Sequence, residues 1–408
     1  MNKNTSLNFY EISLFIFGFF PIIPNRLKGF SVFILLLTSF FIYKKHKNKR
    51  FPVKKVLQFS SIYLILIVSL LNTLDFSGID KLLSTRLSLL VVPISFGFFH
   101  STEKEIRFTF LSKYTKILLL ITTFYSSCIL IFLYQLGVFS ERMSMYDAIA
   151  YITNEMWLIN QHPIYASIFI SISILLSVFY WLLSKNKFFI FITLPFVFIN
   201  LFTLVLLERK GVLFSFVISF IIMILKFLKK NTSKKIVIGV IVSGIIFACF
   251  FLIPSNRFKE LYKLDNYTGV LKDNSTSLRF GIYNCAVSKI FESPLLGFGL
   301  GDVQTELDKC YEDKSKLLLE RSYNSHNQYL SYFLSSGFLG FFLLCFILGK
   351  ILLNAIKSKD YFLVSITVFF TLCMLFENIL ERQSGVILFS FYICLFSFNN
   401  FKNHSIEQ

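Results

Sequence analysis

Residues 188–207 read FFIFITLPFVFINLFTLVLL, an uncharged run with six phenylalanines. A helix of that length rises about 30 Å, the thickness of a bilayer's hydrocarbon core. Lipid offers no partner to a backbone amide, so an open segment that crosses it must bond to itself as a helix. Eleven further apolar stretches fit the same reading: 9–23, 29–43, 55–73, 82–99, 115–136, 162–183, 211–228, 236–253, 327–349, 360–376 and 384–400. The first two are short with Pro21 and Pro24 between them, so they also read as a hairpin. No run alternates in the ten-residue manner of a membrane barrel strand.

Composition leads to the same class. Of 408 residues 55% are hydrophobic, 53 are phenylalanine and only 16% are charged. A water-soluble chain of this size lacks the polar cover for so much apolar surface, and disordered chains are poor in aromatics. The expected fold is therefore an all-α polytopic membrane protein with about twelve transmembrane helices. Its expected parts are an N-terminal bundle of about nine helices (1–253), a polar loop (254–325), and C-terminal membrane helices with a short tail (326–408).

The formal charge of +18 is topological in origin. Alternate connections and the two tails carry 23 basic residues, against 7 in the connections on the other side. The positive-inside rule then places both termini in the cytoplasm and leaves no need for a nucleic-acid partner. Residues 1–24 lack a small-residue cleavage site after the apolar run and read as a retained first span. The loop 254–325 is long, holds 10 basic and 10 acidic residues, and falls on the non-cytoplasmic side. A loop of that length is expected to be functional. Within it Leu278 to Phe291 has the spacing of an amphipathic helix, with Ser275, Thr276 and Ser277 as candidate N-caps. Pro294 and Gly297-Phe298-Gly299-Leu300-Gly301 then end it in a tight turn. This glycine run is no dinucleotide fingerprint, because no strand-turn-helix unit surrounds it. Five cysteines lie in spans as small apolar residues, Cys249 among them, while Cys285 and Cys310 share the loop and are in a position to pair. No cysteine-histidine cluster has metal-ligand spacing, and no metal or other cofactor is expected.

Ionisable residues at membrane depth are costly and call for a reason. Several gather at the non-cytoplasmic ends of spans: Glu208-Arg209-Lys210 on a tight turn, Arg279 opening the loop helix, His326, and Glu377, Glu381 and Arg382 between the last two spans. His162 and Arg86 also lie near span starts. Each has an ordinary reading. Arg209 and Lys210 serve as interfacial anchors, Arg279 as partner of a loop acid, and His162 and His326 as helix-start residues. The two glutamates read as partners of Arg382. Taken together, cations and a histidine facing one compartment point to chemistry on an anionic lipid. Guanidinium forks match phosphate oxygens and stabilise the charge that grows on a departing diphosphate. A neutral imidazole accepts a proton from an incoming sugar hydroxyl. Arginine neutralisation makes a divalent metal unnecessary.

With those residues placed, the chain resembles the O-antigen ligase and O-antigen polymerase family of bacterial envelope enzymes over roughly residues 155–400. Three features carry the resemblance. The first is Arg209 in a tight turn before an apolar span. The second is Arg279-Phe280-Gly281-Ile282-Tyr283 followed by Ser293-Pro294-Leu295-Leu296-Gly297-Phe298-Gly299. The third is Ser325-His326-Asn327-Gln328-Tyr329-Leu330 leading to Gly337-Phe338-Leu339-Gly340. The resemblance implies metal-independent glycosyl transfer in the inner membrane, with the site on the periplasmic face. The donor it implies is an undecaprenyl-pyrophosphate-linked glycan. The acceptor is lipid A-core for a ligase, or a second lipid-linked glycan for a polymerase. Carried over by position, Arg209 and Arg279 bind the pyrophosphate, with Lys210 beside them, and His326 is the base or acceptor-positioning residue. An acidic residue near the end of the chain is also implied, and Glu377 and Glu381 both qualify. Where the family often has a small residue before the turn arginine, this chain has Glu208. A transporter or flippase is the rival class. Against it stand the lack of inverted repeats and the gathering of polar residues at one face instead of the midplane.

Overall fold

A computed structural model describes residues 3–46, 50–102, 108–140, 142–155, 161–183, 187–227, 263–267, 269–271 and 274–399. Helix α1 (Lys3–Phe15) ends in a 3₁₀ turn (Ile16–Phe19), and the chain returns as α2 (Lys28–His46), packed along α1 as a hairpin. Next come α3 (Val53–Ser69), α4 (Ile79–Arg86), α5 (Ser88–His100), α6 (Phe108–Gln135) and α7 (Met145–Glu155). They are followed by α8 (Pro163–Leu183), α9 (Lys187–Leu206) and α10 (Lys210–Phe227). The later part holds α11 (Ser275–Glu292), α12 (Val303–Lys314), α13 (Lys316–Arg321), α14 (Gln328–Lys357), α15 (Tyr361–Cys373) and α16 (Gln383–Phe398). Among the described residues seven helices are long and apolar enough to cross a membrane, and four shorter ones are apolar. Together these account for every expected stretch except 236–253, which with Cys249 lies outside the described residues.

The burial pattern separates inner helices from lipid-facing ones. Helix α8 is buried along nearly its whole length, whereas α2 buries only a minority of its residues. A helix apolar on every side belongs inside a bundle. The serines of α8 and α16 add no polar cost there, because they return their protons to the preceding turn: Ser171 Oγ to the Ser167 carbonyl at 2.7 Å, and Ser390 Oγ to that of Val386 at 2.8 Å. By contrast α2 exposes Phe30, Phe33, Phe40 and Phe41, and α9 exposes Phe188, Phe191, Phe198 and Phe202. Such surfaces are stable against lipid. Around the inner pair α10 lies along α15, α5 along both α2 and α16, α14 along α3, and α6 along α8 and α9.

The 275–325 segment forms a small core of its own at one end of the bundle. Ile282, Cys285, Ala286 and Ile290 of α11 meet Leu307, Cys310 and Tyr311 of α12, Leu318 of α13 and Leu334 of α14. A disulfide joins Cys285 to Cys310 across this core, with Cα atoms 5.7 Å apart. Helix α11 does not use the expected serine or threonine caps. Asn274 caps it, its side-chain oxygen accepting from the Thr276 and Ser277 amides at 3.1 Å each. Asparagine one position earlier leaves those residues free to take helical backbone angles.

The glycine-rich turn docks this segment onto the bundle. Helix α14 breaks at Gly337, whose φ of 62° and ψ of −158° suit only glycine. The break frees carbonyls, and the turn fills them: Phe298 N donates to the Leu334 carbonyl at 2.8 Å, and Gly299 N to that of Ser335 at 3.0 Å. In return Phe338 N donates to the Pro294 carbonyl at 2.9 Å. A Cβ on Gly297 would stand 2.6 Å from the Gly337 amide nitrogen, so these two backbones meet only because neither has a side chain. Asp302 completes the attachment. It gives up capping α12 and accepts instead from the amides of Leu74 at 2.6 Å and Asp75 at 3.0 Å.

Candidate functional site

The site lies at the loop end of the bundle, where the segment 374–382 between α15 and α16 receives the segment 324–328. Asn327 caps α14 through the amides of Tyr329 and Leu330, and its side-chain amide donates to the Leu375 carbonyl at 3.1 Å. Gln328 donates its backbone N–H to Met374 O at 2.8 Å and accepts from Leu380 N at 2.6 Å. Ser325 and Asn378, both buried, exchange hydrogen bonds of 3.1–3.3 Å. These contacts fix the backbone on both sides of His326.

His326 itself is held in the left-handed region, at φ 44°. For a residue with a Cβ that costs on the order of 1–2 kcal/mol. The cost is offset locally, since Asn324 Oδ1 accepts the His326 N–H at 3.2 Å and the Tyr283 hydroxyl donates to its carbonyl at 3.2 Å. Strain of this kind is maintained where the side chain must point one way.

That direction is toward Glu377. The His326 Nδ1 lies 3.2 Å from Glu377 Oε2, and Arg279 Nη2 lies 3.7 Å from the same oxygen. The carboxylate is buried, whereas the imidazole and guanidinium keep partial exposure. Burial by itself would raise the Glu377 carboxyl. The hydrogen bond from His326, and then the charge of Arg279, outweigh it and hold the carboxyl below the usual glutamate value. An ionised carboxylate on Nδ1 fixes the tautomer with Nδ1–H donating, so Nε2 carries the lone pair. Among the described residues Nε2 makes no hydrogen bond.

Glu381, four residues on, does something different. Its carboxylate accepts from the Ser331 hydroxyl and from Asn324 Nδ2 at 3.2 Å, and Arg86 Nη2 lies 4.0 Å away in a nearly dry setting. Through Asn324 it supports the His326 backbone and does not touch the ring. The 3₁₀ turn Ile379–Glu381 separates the two acids, which a regular helix would have placed on one face.

Arg209 and Lys210, both half-buried, start α10 behind a turn in which Glu208 takes φ 52°. Left-handed backbone at this position explains a preference for a small residue there. Gly211 lets the turn close on the acid-bearing segment, since a Cβ on it would stand 2.5 Å from Phe376 Cβ. His162, just ahead of α8, feels the charges of Glu377, Arg209, Arg382 and His326 together. The fold thus joins Arg279, His326 and Glu377 by direct contact, and brings Arg209 and Arg382 to the same electrostatic neighbourhood. Gly211, Asn324 and Asn378 carry no sequence signal of a part in the site, whereas Glu208 and Arg86 stand out in the sequence as charges at span ends. Among the described residues no three His, Cys, Asp or Glu side chains cluster as metal ligands.

The family model described as O-Antigen ligase matches residues 195–345. The matched stretch contains Arg209, Arg279 and His326 and stops short of Glu377 and Glu381. It supports the O-antigen ligase family, and with it an enzyme of ligase or polymerase type that works on lipid-linked polysaccharide. No curated protein matches the chain.

Proposed function

We propose that the protein is an O-antigen ligase-type glycosyltransferase of the bacterial inner membrane. It moves a glycan from undecaprenyl pyrophosphate to a sugar hydroxyl of lipid A-core at the periplasmic face, without a metal. The observation that carries this reading is the Arg279–Glu377–His326 contact, which engages His326 through Nδ1 and leaves Nε2 unengaged.

The chemistry follows from that arrangement. His326 Nε2 takes the proton of the acceptor hydroxyl as its oxygen attacks the anomeric carbon of the donor sugar. A new glycosidic C–O bond forms, and the bond from that carbon to the phosphate oxygen breaks. The electron pair leaves on undecaprenyl diphosphate, whose growing charge Arg279 and Arg209 neutralise, with Lys210 at the same turn. Glu377 stays ionised, orients the imidazole and stabilises the imidazolium, much as the acid of a catalytic triad does. Glu381 holds the backbone that carries the base.

The test is the envelope glycan profile of a strain lacking this chain. Long chains stranded on the carrier lipid, with uncapped lipid A-core, are expected. Single-unit caps would mark a polymerase using a second lipid-linked glycan as acceptor, and an unchanged profile would exclude both.

A further inference from the structure

Lys28 opens α2 at the loop end of the bundle, and its side chain is completely buried. The ammonium has three protons and three acceptors: Asn25 Oδ1 at 2.7 Å, Ser384 Oγ at 2.8 Å, and Gln161 Oε1 in close contact. The Phe20 ring lies under it, its centroid 4.7 Å from Nζ. All four partners are neutral. Among the described residues no carboxylate lies within ion-pair distance of Lys28. A buried charge without a counter-charge is rarely kept, and at membrane depth it calls for a function.

Its position makes the question sharper. Gln161 lies two residues before α8 and Ser384 is the second residue of α16, so three helix starts meet at this ammonium. Helix N-termini carry positive partial charge and raise the cost of a cation between them. A neutral side chain would tie the same three oxygens together more cheaply if joining helices were all that was needed. Gln161 is also the neighbour of His162, which feels Arg209, Arg382 and His326, and Ser384 lies two residues from Arg382. Through Gln161 and Ser384 the Lys28 side chain is thus tied to the chain one residue from His162 and two from Arg382.

We propose that Lys28 is a positioning residue for the anionic substrate, a buried amine whose missing counter-ion, when protonated, is the diphosphate bound at Arg209 and Arg279. The ammonium touches no substrate, since all its protons are used. It acts by holding the starts of α2, α8 and α16 in register and, in its protonated form, by adding positive potential to the pocket. Even across about 10 Å, one unit charge at an effective dielectric constant of about 20 changes affinity for an anion roughly tenfold. This inference rests on the proposed reading of the site as a diphosphate pocket.

The test is binding of geranylgeranyl diphosphate to the purified, folded full-length protein in detergent. Lys28→Gln is expected to weaken binding about tenfold, and Lys28→Arg to stay within about twofold of wild type. Ser384→Asp keeps Lys28 but supplies the absent acid at a helix start, where a carboxylate is well tolerated. It is expected to weaken binding about as much, and it decides the matter if Lys28→Gln does not fold. Wild-type affinity in folded Lys28→Gln or in Ser384→Asp overturns the proposal. Arg279→Ala is the control. If it too binds like wild type, the diphosphate reading of the site fails as a whole. If it binds weakly while Ser384→Asp does not, only the role of Lys28 falls.

Discussion

His326 Nδ1 and Glu377 Oε2 are 3.2 Å apart, and the contact joins residues 51 positions apart in the chain. Replacing Glu377 by Gln keeps the shape but removes the charge that fixes the tautomer. Glu377→Gln is expected to lower the transfer rate by about 10²–10⁴-fold with protein yield near wild type and a melting temperature only modestly lower. Side-by-side measurement of rate and thermal unfolding checks this.

Glu381 should behave in the opposite way. Its carboxylate serves Ser331, Asn324 and the buried Arg86. Glu381→Ala leaves an arginine without its acid in a nearly dry place, which destabilises by about 3 kcal/mol or more. A melting temperature several degrees below that of Glu377→Gln is expected, with any loss of transfer explained by lost protein.

The depressed Glu377 carboxyl sets a pH dependence. Its folded-state value lies below the ordinary 4.5, so its contribution to stability is complete above that value and disappears as pH falls through the folded value. The gap in melting temperature between wild type and Glu377→Gln should therefore be constant above about pH 5.5 and shrink on further acidification. A gap that widens toward acid would contradict the assignment.

Much of this architecture could be read from the chain, and the misses have physical causes. Apolar length revealed the spans because lipid leaves the backbone one choice. Arg209, Arg279 and His326 stood out because charged groups at span ends are costly. Which acid meets His326 was not legible, since Glu377 and Glu381 are one helical turn apart and only the 3₁₀ turn at Ile379–Glu381 separates them. The partners of Lys28 lie 133 and 356 residues away, at Gln161 and Ser384. Asn274 does not stand out as the cap in the sequence, because three residues that also favour capping follow it.

The glycine motifs turn out to be joints between backbones. Gly337→Ala meets both a forbidden φ/ψ and the Leu295 carbonyl. It is expected to destabilise by at least about 2 kcal/mol. Glu208→Gly relieves a left-handed residue and is expected to be neutral or to stabilise by up to about 1 kcal/mol. Thermal unfolding in detergent separates these two outcomes.

Breaking the Cys285–Cys310 disulfide should loosen the helix that carries Arg279. A closed loop with a sequence separation of 25 residues is worth about 3 kcal/mol. Cys285→Ser with Cys310→Ser is expected to lower the melting temperature by several degrees, and a reductant should do the same to wild type only.

In the proposed reaction His326 takes the acceptor proton beside a cation-held diphosphate. The direct measurement is transfer by purified protein in liposomes supplied with lipid-linked glycan and acceptor, with donor binding measured on the same preparation. His326→Ala should bind donor like wild type and transfer at least about 10²-fold more slowly. Transfer at the wild-type rate by folded His326→Ala would contradict the account.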